Sequence, residues 1–359
     1  MALREEKAKK GLRLVFAGGG TGGHLFPAIA LAEEFRRRDP GIDITFMGGR
    51  GGLEEKVVPK YGYPLKVFRV EGLKRKKGLG RIRAVLKAAS STMEALRHFR
   101  STRPDGVIGS GSYSSAPVVT AARLLGIKTA ILEQNALPGL TNRVLGRFVD
   151  RVYISFEESR RYFPGGRTIL SGNPVRREIA RKLEDRRVAD KFSILVFGGS
   201  QGATAVNAAF LDAIEFLTDI WSGLRIAHQT GKEGYDAVVA AYRRKNLKAE
   251  VSVFIEDMGA AYSSADLVVC RAGATSLAEI TASARGNTDT ASVSRRTTTR
   301  PSTRRLEKAG AADDKAGRLL ERRWRRPKRL HHDRQAPGSC GRGRKLGRPR
   351  ASQEIAEPS

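Results

Sequence analysis

The sequence predicts an α/β protein of two parallel-sheet domains that face one cleft. Three observations predict it. Apolar, strand-length runs alternate with helix-length segments over most of the 359 residues. A glycine-rich loop, Gly18-Gly19-Gly20-Thr21-Gly22-Gly23-His24, follows one apolar run and opens a helical pattern from Phe26. A second loop, Gly198-Gly199-Ser200-Gln201-Gly202-Ala203, follows another and opens a helix from Thr204. Alternating strand and helix implies right-handed crossovers and parallel sheets. Glycines at a helix N-terminus turn tightly and bare their N–H groups beside partial positive charge, which suits a phosphate or a polar ligand edge.

In chain order, strand patterns fall at 13–17, 43–47, 65–70, 106–109, 128–132 and 151–154, with helical periodicity at 27–38, 82–99 and 116–125. The pattern restarts at Phe192, with strands near 225–228, 251–255 and 267–270. A charged stretch, 178–191, carries the link. The expected units are therefore 1–177 and 178–282, each Rossmann-like, followed by a tail over 283–359. Large apolar residues nearly vanish from that tail, and 21 Lys and Arg stand against 8 acidic residues. Such a composition cannot bury enough apolar area to offset ordering, so the tail reads as disordered.

The net charge of +29 points to an anionic partner, with nucleic acid, anionic lipid and a phosphorylated substrate all open. Cys270 and Cys340 form neither metal-ligand spacing nor a disulfide framework, which suits a reducing compartment. Residues 1–10 are charged, without the apolar stretch of a signal peptide. No run approaches the ~20 apolar residues of a membrane span.

Gly18, Gly20 and Gly23 also satisfy the dinucleotide fingerprint, but the second strand ends Phe46-Met47-Gly48-Gly49-Arg50, without the carboxylate that holds a ribose. His24 stands at the cleft mouth, where a neutral imidazole takes a proton from an acceptor hydroxyl, or is simply structural. Glu133-Gln134-Asn135 follows a strand end, either as ligand contacts or as a polar helix cap. In Arg271-Ala272-Gly273-Ala274-Thr275-Ser276-Leu277-Ala278-Glu279, small residues let a helix N-terminus approach a diphosphate. Glu279 is either a ribose acceptor or a solvated helix charge. The run Leu73-Lys74-Arg75-Lys76-Lys77-Gly78-Leu79-Gly80-Arg81-Ile82-Arg83 is either a solvated face or a contact for an anionic bilayer. It lacks the interleaved aromatics that stack on single-stranded bases.

Six motifs in order resemble one enzyme family: GGGTGGHLFPAIALA from Gly18, GSGSYSSAP from Gly109, EQNALPGLTNR from Glu133, SGNPVR from Ser171, GGSQGATAVN from Gly198 and FIEDMGAAYSSADLVVCRAGATSLAE from Phe254. The family is the bacterial peptidoglycan glycosyltransferase MurG, and the likeness covers about three quarters of the chain. It implies a GT-B fold and metal-independent, inverting transfer of N-acetylglucosamine from UDP-GlcNAc to the MurNAc 4-hydroxyl of lipid I, giving lipid II. It implies no cofactor, no specific nucleic acid, and a peripheral place on the anionic cytoplasmic face of the bacterial plasma membrane. Carried over by position, Thr21, Gly22, Gly23 and Asn135 would line the cleft. Arg176 and Ser200 would contact the donor, and the backbone at Ile255 would read the uracil edge. Ala274, Thr275, Ser276, Leu277, Ala278 and Glu279 would hold diphosphate and ribose, with His24 as base.

The chain departs from the family in two places. Leu132 stands where the family has His before Glu-Gln-Asn. After Ala282 the family's Gly-Lys-Pro, apolar strand and Gln-bearing loop give way to Ser283-Ala284-Arg285-Gly286-Asn287 and a Thr/Arg-rich run, before Leu306-Glu307-Lys308-Ala309-Gly310 falls back into register. Length is kept while side-chain chemistry is scrambled, the mark of compensating frameshifts. A chain real as written is expected to lack a core strand and the sugar-contacting Gln, and so to turn over weakly. A related transferase with another acceptor, or a non-catalytic basic protein binding nucleic acid or membrane, stays open at this stage.

Overall fold

A parallel sheet covered on both faces needs apolar side chains on each, and Leu14-Val15-Phe16-Ala17 meets that demand in one strand. In the computed structural model, which describes residues 11–68, 79–181, 191–283 and 289–292, this run is β1 (Arg13–Ala17). There follow α1 (Gly22–Arg38), β2 (Asp43–Gly49), α2 (Glu54–Val57), β3 (Leu65–Phe68), α3 (Leu79–Thr102), β4 (Gly106–Gly109), α4 (Ser115–Leu124), β5 (Lys128–Glu133), α5 (Leu140–Leu145), β6 (Arg151–Ile154) and β7 (Thr168–Leu170). The seven strands are parallel in the order β3-β2-β1-β4-β5-β6-β7. Leu14 and Phe16 pack with Leu25 and Ile29 of α1. Val15 and Ala17 pack on the other face with Val118, Val119 and Ala122 of α4 and Phe99 of α3.

The second sheet repeats this plan. Its elements are α6 (Arg177–Arg181), β8 (Phe192–Phe197), α7 (Thr204–Ala213), β9 (Leu224–Gln229), α8 (Tyr235–Arg244), β10 (Glu250–Ser252), α9 (Met258–Ser264), β11 (Leu267–Cys270), α10 (Ala274–Ser283) and β12 (Asp289–Ser292). The strand order is β10-β9-β8-β11-β12, again parallel. Ile194 and Val196 face α7 and α8 through Val206, Phe210, Val238 and Tyr242. Leu195 and Phe197 face α9 and α10 through Tyr262 and Ile280, in a core that also takes Val175 and Ile179. Strand order reverses between β1 and β4 in one sheet and between β8 and β11 in the other. Open α/β sheets bind ligands beyond the carboxyl ends of their strands at such switch points.

Several boundaries differ from expectation for local reasons. α1 begins at Gly22, five residues before the expected start, because Pro27 sits inside the helix and marks no boundary. β7 and the short 3₁₀ helices Glu157–Tyr162 and Ile214–Gly223 carry no clear periodicity in the sequence. The strand expected over 251–255 ends at Ser252, because the Ile255 N–H leaves the ladder and donates to Gln229 Oε1 at 2.7 Å. The edge position left without an apolar strand is taken by a polar one: β12 lies parallel to β11, with Asp289 opposite Leu267 and Ser292 opposite Cys270. The basic residues 74–78, the link at 182–190, and the tail positions 284–288 and 293–359, Cys340 among them, lie outside the described residues.

A fully buried histidine completes the second core. His228 on β9 accepts from the Tyr242 hydroxyl at Nδ1, 3.1 Å, and donates from Nε2 to Asn207 Oδ1, 3.3 Å. Asn207 Nδ2 donates to Thr230 O at 3.0 Å, which fixes the amide orientation. Burial pulls the imidazole pKa down from 6.5 to about 4. The unfolded chain therefore binds a proton that the folded one refuses, so stability is full above pH 6.5 and falls as pH drops toward 4. The loss reaches at most about 3 kcal/mol, and urea midpoints measured across that window fall less steeply in His228→Gln than in the wild type.

Candidate active site

The two sheets turn their carboxyl ends toward each other across a cleft of about 500 Å³. Most of its polar lining is strand-end loop or helix start. After β1 come Thr21, Gly22, Gly23 and His24; after β5, Gln134 and Asn135; after β8, Gly198 to Gln201; after β11, Arg271 to Ser276. Arg176 and Glu279 also line it. Of the residues singled out from sequence, Leu277 is buried outside the cleft lining, and Ala278 and Ile255 pack against the second core, also outside it. The Ile255 N–H is already committed to Gln229, as described above.

His24 is oriented by its neighbours. Its Nδ1 lies 3.0 Å from Ser110 O and 3.2 Å from Gln134 Oε1, while Gln134 Nε2 donates to the same Ser110 carbonyl at 3.0 Å. Both partners of Nδ1 accept, so the proton sits on Nδ1 and the lone pair on Nε2. Gly111 makes this possible: a Cβ there would stand 2.8 Å from His24 Nδ1. Asn135 is held by Glu133, whose Oε1 accepts from the Asn135 N–H at 2.9 Å and from its Nδ2 at 3.0 Å. Glu133 is itself buried and also accepts from Asn142 Nδ2 at 2.9 Å. Glu133 thus holds Asn135 in the cleft lining and ties it to Asn142 of α5.

The domains touch at the cleft lips. Pro27 has no N–H, so it leaves the carbonyl of Gly23 without its helical partner. The Thr275 hydroxyl of the other domain donates to that carbonyl at 3.1 Å. Ser200 Oγ accepts from the Gly22 N–H at 3.1 Å. The first-turn amides of α10 follow directly, and helix N-termini leave such groups without intrahelical acceptors. Arg271 adds charge on the same side, 3.4 Å from where a Gly199 Cβ would stand.

Sequence reasoning missed the partners that hold the chosen residues. Arg176 is 2% exposed and bridges three parts of the molecule. Its Nη2 donates to Glu279 Oε1 at 3.2 Å, its Nη1 to Glu178 at 3.0 Å and to the Tyr61 hydroxyl at 3.3 Å, and its guanidinium stacks 4.1 Å from the Phe26 ring centroid. Its Nε has no hydrogen-bond partner. Glu279 Oε2 accepts from the Tyr262 hydroxyl at 3.2 Å. Burial lifts the Glu279 carboxyl above its usual range against the pull of Arg176, and burial holds Tyr262 well above 10 as a donor. Glu279 is therefore no solvated helix charge. Among the described residues, no three His, Cys, Asp or Glu side chains gather as metal ligands.

Two parallel-sheet domains meeting at paired switch points over this cleft define the GT-B fold. The chain belongs to glycosyltransferase family 28: the family's N-terminal domain matches residues 14–154 and its C-terminal domain residues 193–285. A relative from Syntrophus aciditrophicus, named UDP-N-acetylglucosamine–N-acetylmuramyl-(pentapeptide) pyrophosphoryl-undecaprenol N-acetylglucosamine transferase, is 51% identical over 272 residues, 76% of this chain and 75% of its own. A protein of the same name from Myxococcus xanthus is 49% identical over 271 residues, 75% of this chain and 71% of its own. The crystal structure of Acinetobacter baumannii MurG superposes with a TM-score of 0.53 at 32% identity, covering 75% of this chain and 74% of that one.

Removing one member of a buried ion pair strands the other. Arg176→Met is expected to cost about 3 kcal/mol in chemical denaturation. Adding Glu279→Gln, which removes the stranded charge but keeps an acceptor for Tyr262, restores at least half of it.

Proposed function

We propose that this chain transfers N-acetylglucosamine from UDP-GlcNAc to the 4-hydroxyl of the MurNAc of lipid I, producing lipid II and UDP. The observation that carries the reading is the cleft itself, with a His24 lone pair on one wall and open helix N-terminal amides on the other. His24 Nε2 takes the acceptor's hydroxyl proton. The oxygen attacks the sugar's anomeric carbon from the face opposite UDP, the bond to the diphosphate oxygen breaks, and the configuration inverts. The departing diphosphate carries its charge to the α10 amides and Arg271, electrostatic stabilisation that needs no metal ion.

The donor assignments follow the same geometry. Ser200, Thr275 and the first turn of α10 stand beside the diphosphate, with Ala274 and Ser276 making room. Glu279 keeps lone pairs for the ribose hydroxyls, and Arg176, in the cleft lining, stands on the donor side. Thr21, Gly22, Gly23 and Asn135 form the acceptor side. The uracil is read by the backbone near Ile255, through groups other than the N–H that Gln229 holds.

The acceptor is a lipid, and the surface supports a membrane contact at the same end of the first sheet. Leu86 is 65% and Leu140 69% exposed; Tyr113, Leu137 and Val144 are exposed as well. Tyr113 follows β4 and Leu137 to Val144 follow β5, so they emerge at the strands' carboxyl ends. Exposed apolar side chains beside Arg143 and Arg147 suit an anionic cytoplasmic leaflet. No helix among the described residues is long and apolar enough to cross a membrane.

The test is transfer of labelled GlcNAc to a lipid I analogue by the purified chain. Transfer persists in EDTA, and His24→Ala lowers kcat by about 10²- to 10⁴-fold with little change in the KM for UDP-GlcNAc. Leu140→Glu leaves transfer to a water-soluble acceptor intact but weakens sedimentation with anionic vesicles, by about fivefold for roughly 1 kcal/mol of lost contact. No product from any lipid I analogue, with UDP-GlcNAc still bound, transfers the proposal to another acceptor.

A further inference from the structure

The first glycine loop holds an anion already, and the anion is part of the chain. Glu54, the first residue of α2, is 1% exposed and points back under the loop that follows β1. Its Oε2 accepts from the Gly20 N–H at 2.6 Å and its Oε1 from the Gly49 N–H at 2.9 Å. Among the described residues no lysine or arginine pairs with it. Glycines wall the carboxylate in: an added Cβ would stand 2.2 Å from its carboxyl carbon at Gly19, 2.8 Å from Oε1 at Gly48 and 2.2 Å from Oε2 at Gly52. Gly19 and Gly20 have φ of +149° and +79°, conformations in which other residues are strained. One glycine from each cluster, Gly19, Gly48 and Gly52, is thus required by the space the buried carboxylate takes up.

The start of α1 lacks the usual local devices. Thr21 makes no side-chain cap bond, and no acidic residue lies in the first turn. Glu54 supplies the missing negative charge from another element. Two residues beyond the amide it grips, Gly22 reaches Ser200 across the cleft, and four residues beyond stands His24.

We propose that Glu54 is a positioning residue of the transfer reaction: it fills the anion nest of the first glycine loop and thereby sets the start of α1, and with it the His24 imidazole, while keeping substrate phosphate out of that loop. This rests on the transferase reading for its catalytic half only. A carboxylate bound to backbone amides is replaceable by a free one, which separates this role from mere packing.

The experiment compares the wild type with Glu54→Ala and Glu54→Gln. Glu54→Ala is expected to lose about 100-fold in kcat, the scale of a displaced catalytic group, with the KM for UDP-GlcNAc within about threefold. Sodium formate, which fits the vacated nest, restores at least about tenfold of the kcat and raises the melting temperature saturably, whereas equal sodium chloride does neither and the wild type does not respond. Glu54→Gln, which keeps one acceptor but sets an NH₂ against the other amide, falls between and gains nothing from formate. Wild-type kcat in either variant overturns the proposal, as does a folded Glu54→Ala whose activity and melting temperature ignore formate. If the wild type itself transfers nothing, the transferase reading fails, and the formate-dependent melting temperature alone decides for or against Glu54 as the nest's anion. If Glu54→Ala does not fold even in formate, the kcat of Glu54→Gln decides.

Discussion

One buried guanidinium holds the two halves of this molecule in register. Arg176 lies where the chain crosses from the first sheet to the second, and it contacts Phe26 and Tyr61 of the first domain and Glu279 of the second. A charge 2% exposed is tolerated only with partners on every side, so its cost ties Glu279, Tyr61 and the Phe26 face of α1 to fixed positions. Glu279 in turn fixes Tyr262 on α9. The cleft walls therefore inherit their separation from an ion pair that lies in the cleft lining itself.

Pro27 shows the same coupling at the level of the backbone. Within a helix it costs a hydrogen bond, and α1 places that loss where it faces the opposite domain. The freed Gly23 carbonyl becomes an acceptor for Thr275, so a helix defect in one sheet is met by a hydroxyl from the other. Together with the Gly22 to Ser200 bond, this makes the start of α1 a jointly built feature: neither domain alone satisfies its first turn. His24 rides on that turn.

The strands and the two loops were legible in the sequence because both sheets are buried on two faces, which forces runs such as Ile194 to Phe197 and Val15 to Ala17 to be apolar throughout. The short parallel edge strand β7 and the polar β12 carry no such signal. β12 is chosen by its pairing with β11, since Asp289-Thr290-Ala291-Ser292 has no apolar pattern. At the cleft, residues that stand in glycine loops, such as His24 and Thr275, announced themselves by position. Their holders did not. Arg176 was singled out through the family motif, whereas Tyr61, Tyr262 and Gln229 read as ordinary strand or helix residues, because what matters about them is a contact over long sequence distance. Glu54 left the one usable trace, a glutamate just after two glycine doublets, but it reads as a loop charge until the fold closes over it.

The two glycine loops look alike in sequence and differ in charge once folded. The first encloses the Glu54 carboxylate, which takes two of its neighbouring amides. The second has Arg271 beside Gly199 and no carboxylate bonded to it among the described residues. The carboxylate lies behind one wall of the cleft and the guanidinium stands on the other, so an anion in the cleft feels fields of opposite sign from the two. In the proposed reaction that difference favours the donor on the second domain and leaves the first, with His24, to the hydroxyl that attacks. A duplicated plan with symmetric loops would bind two phosphates and transfer nothing. The asymmetry placed by one glutamate and one arginine gives the cleft a direction.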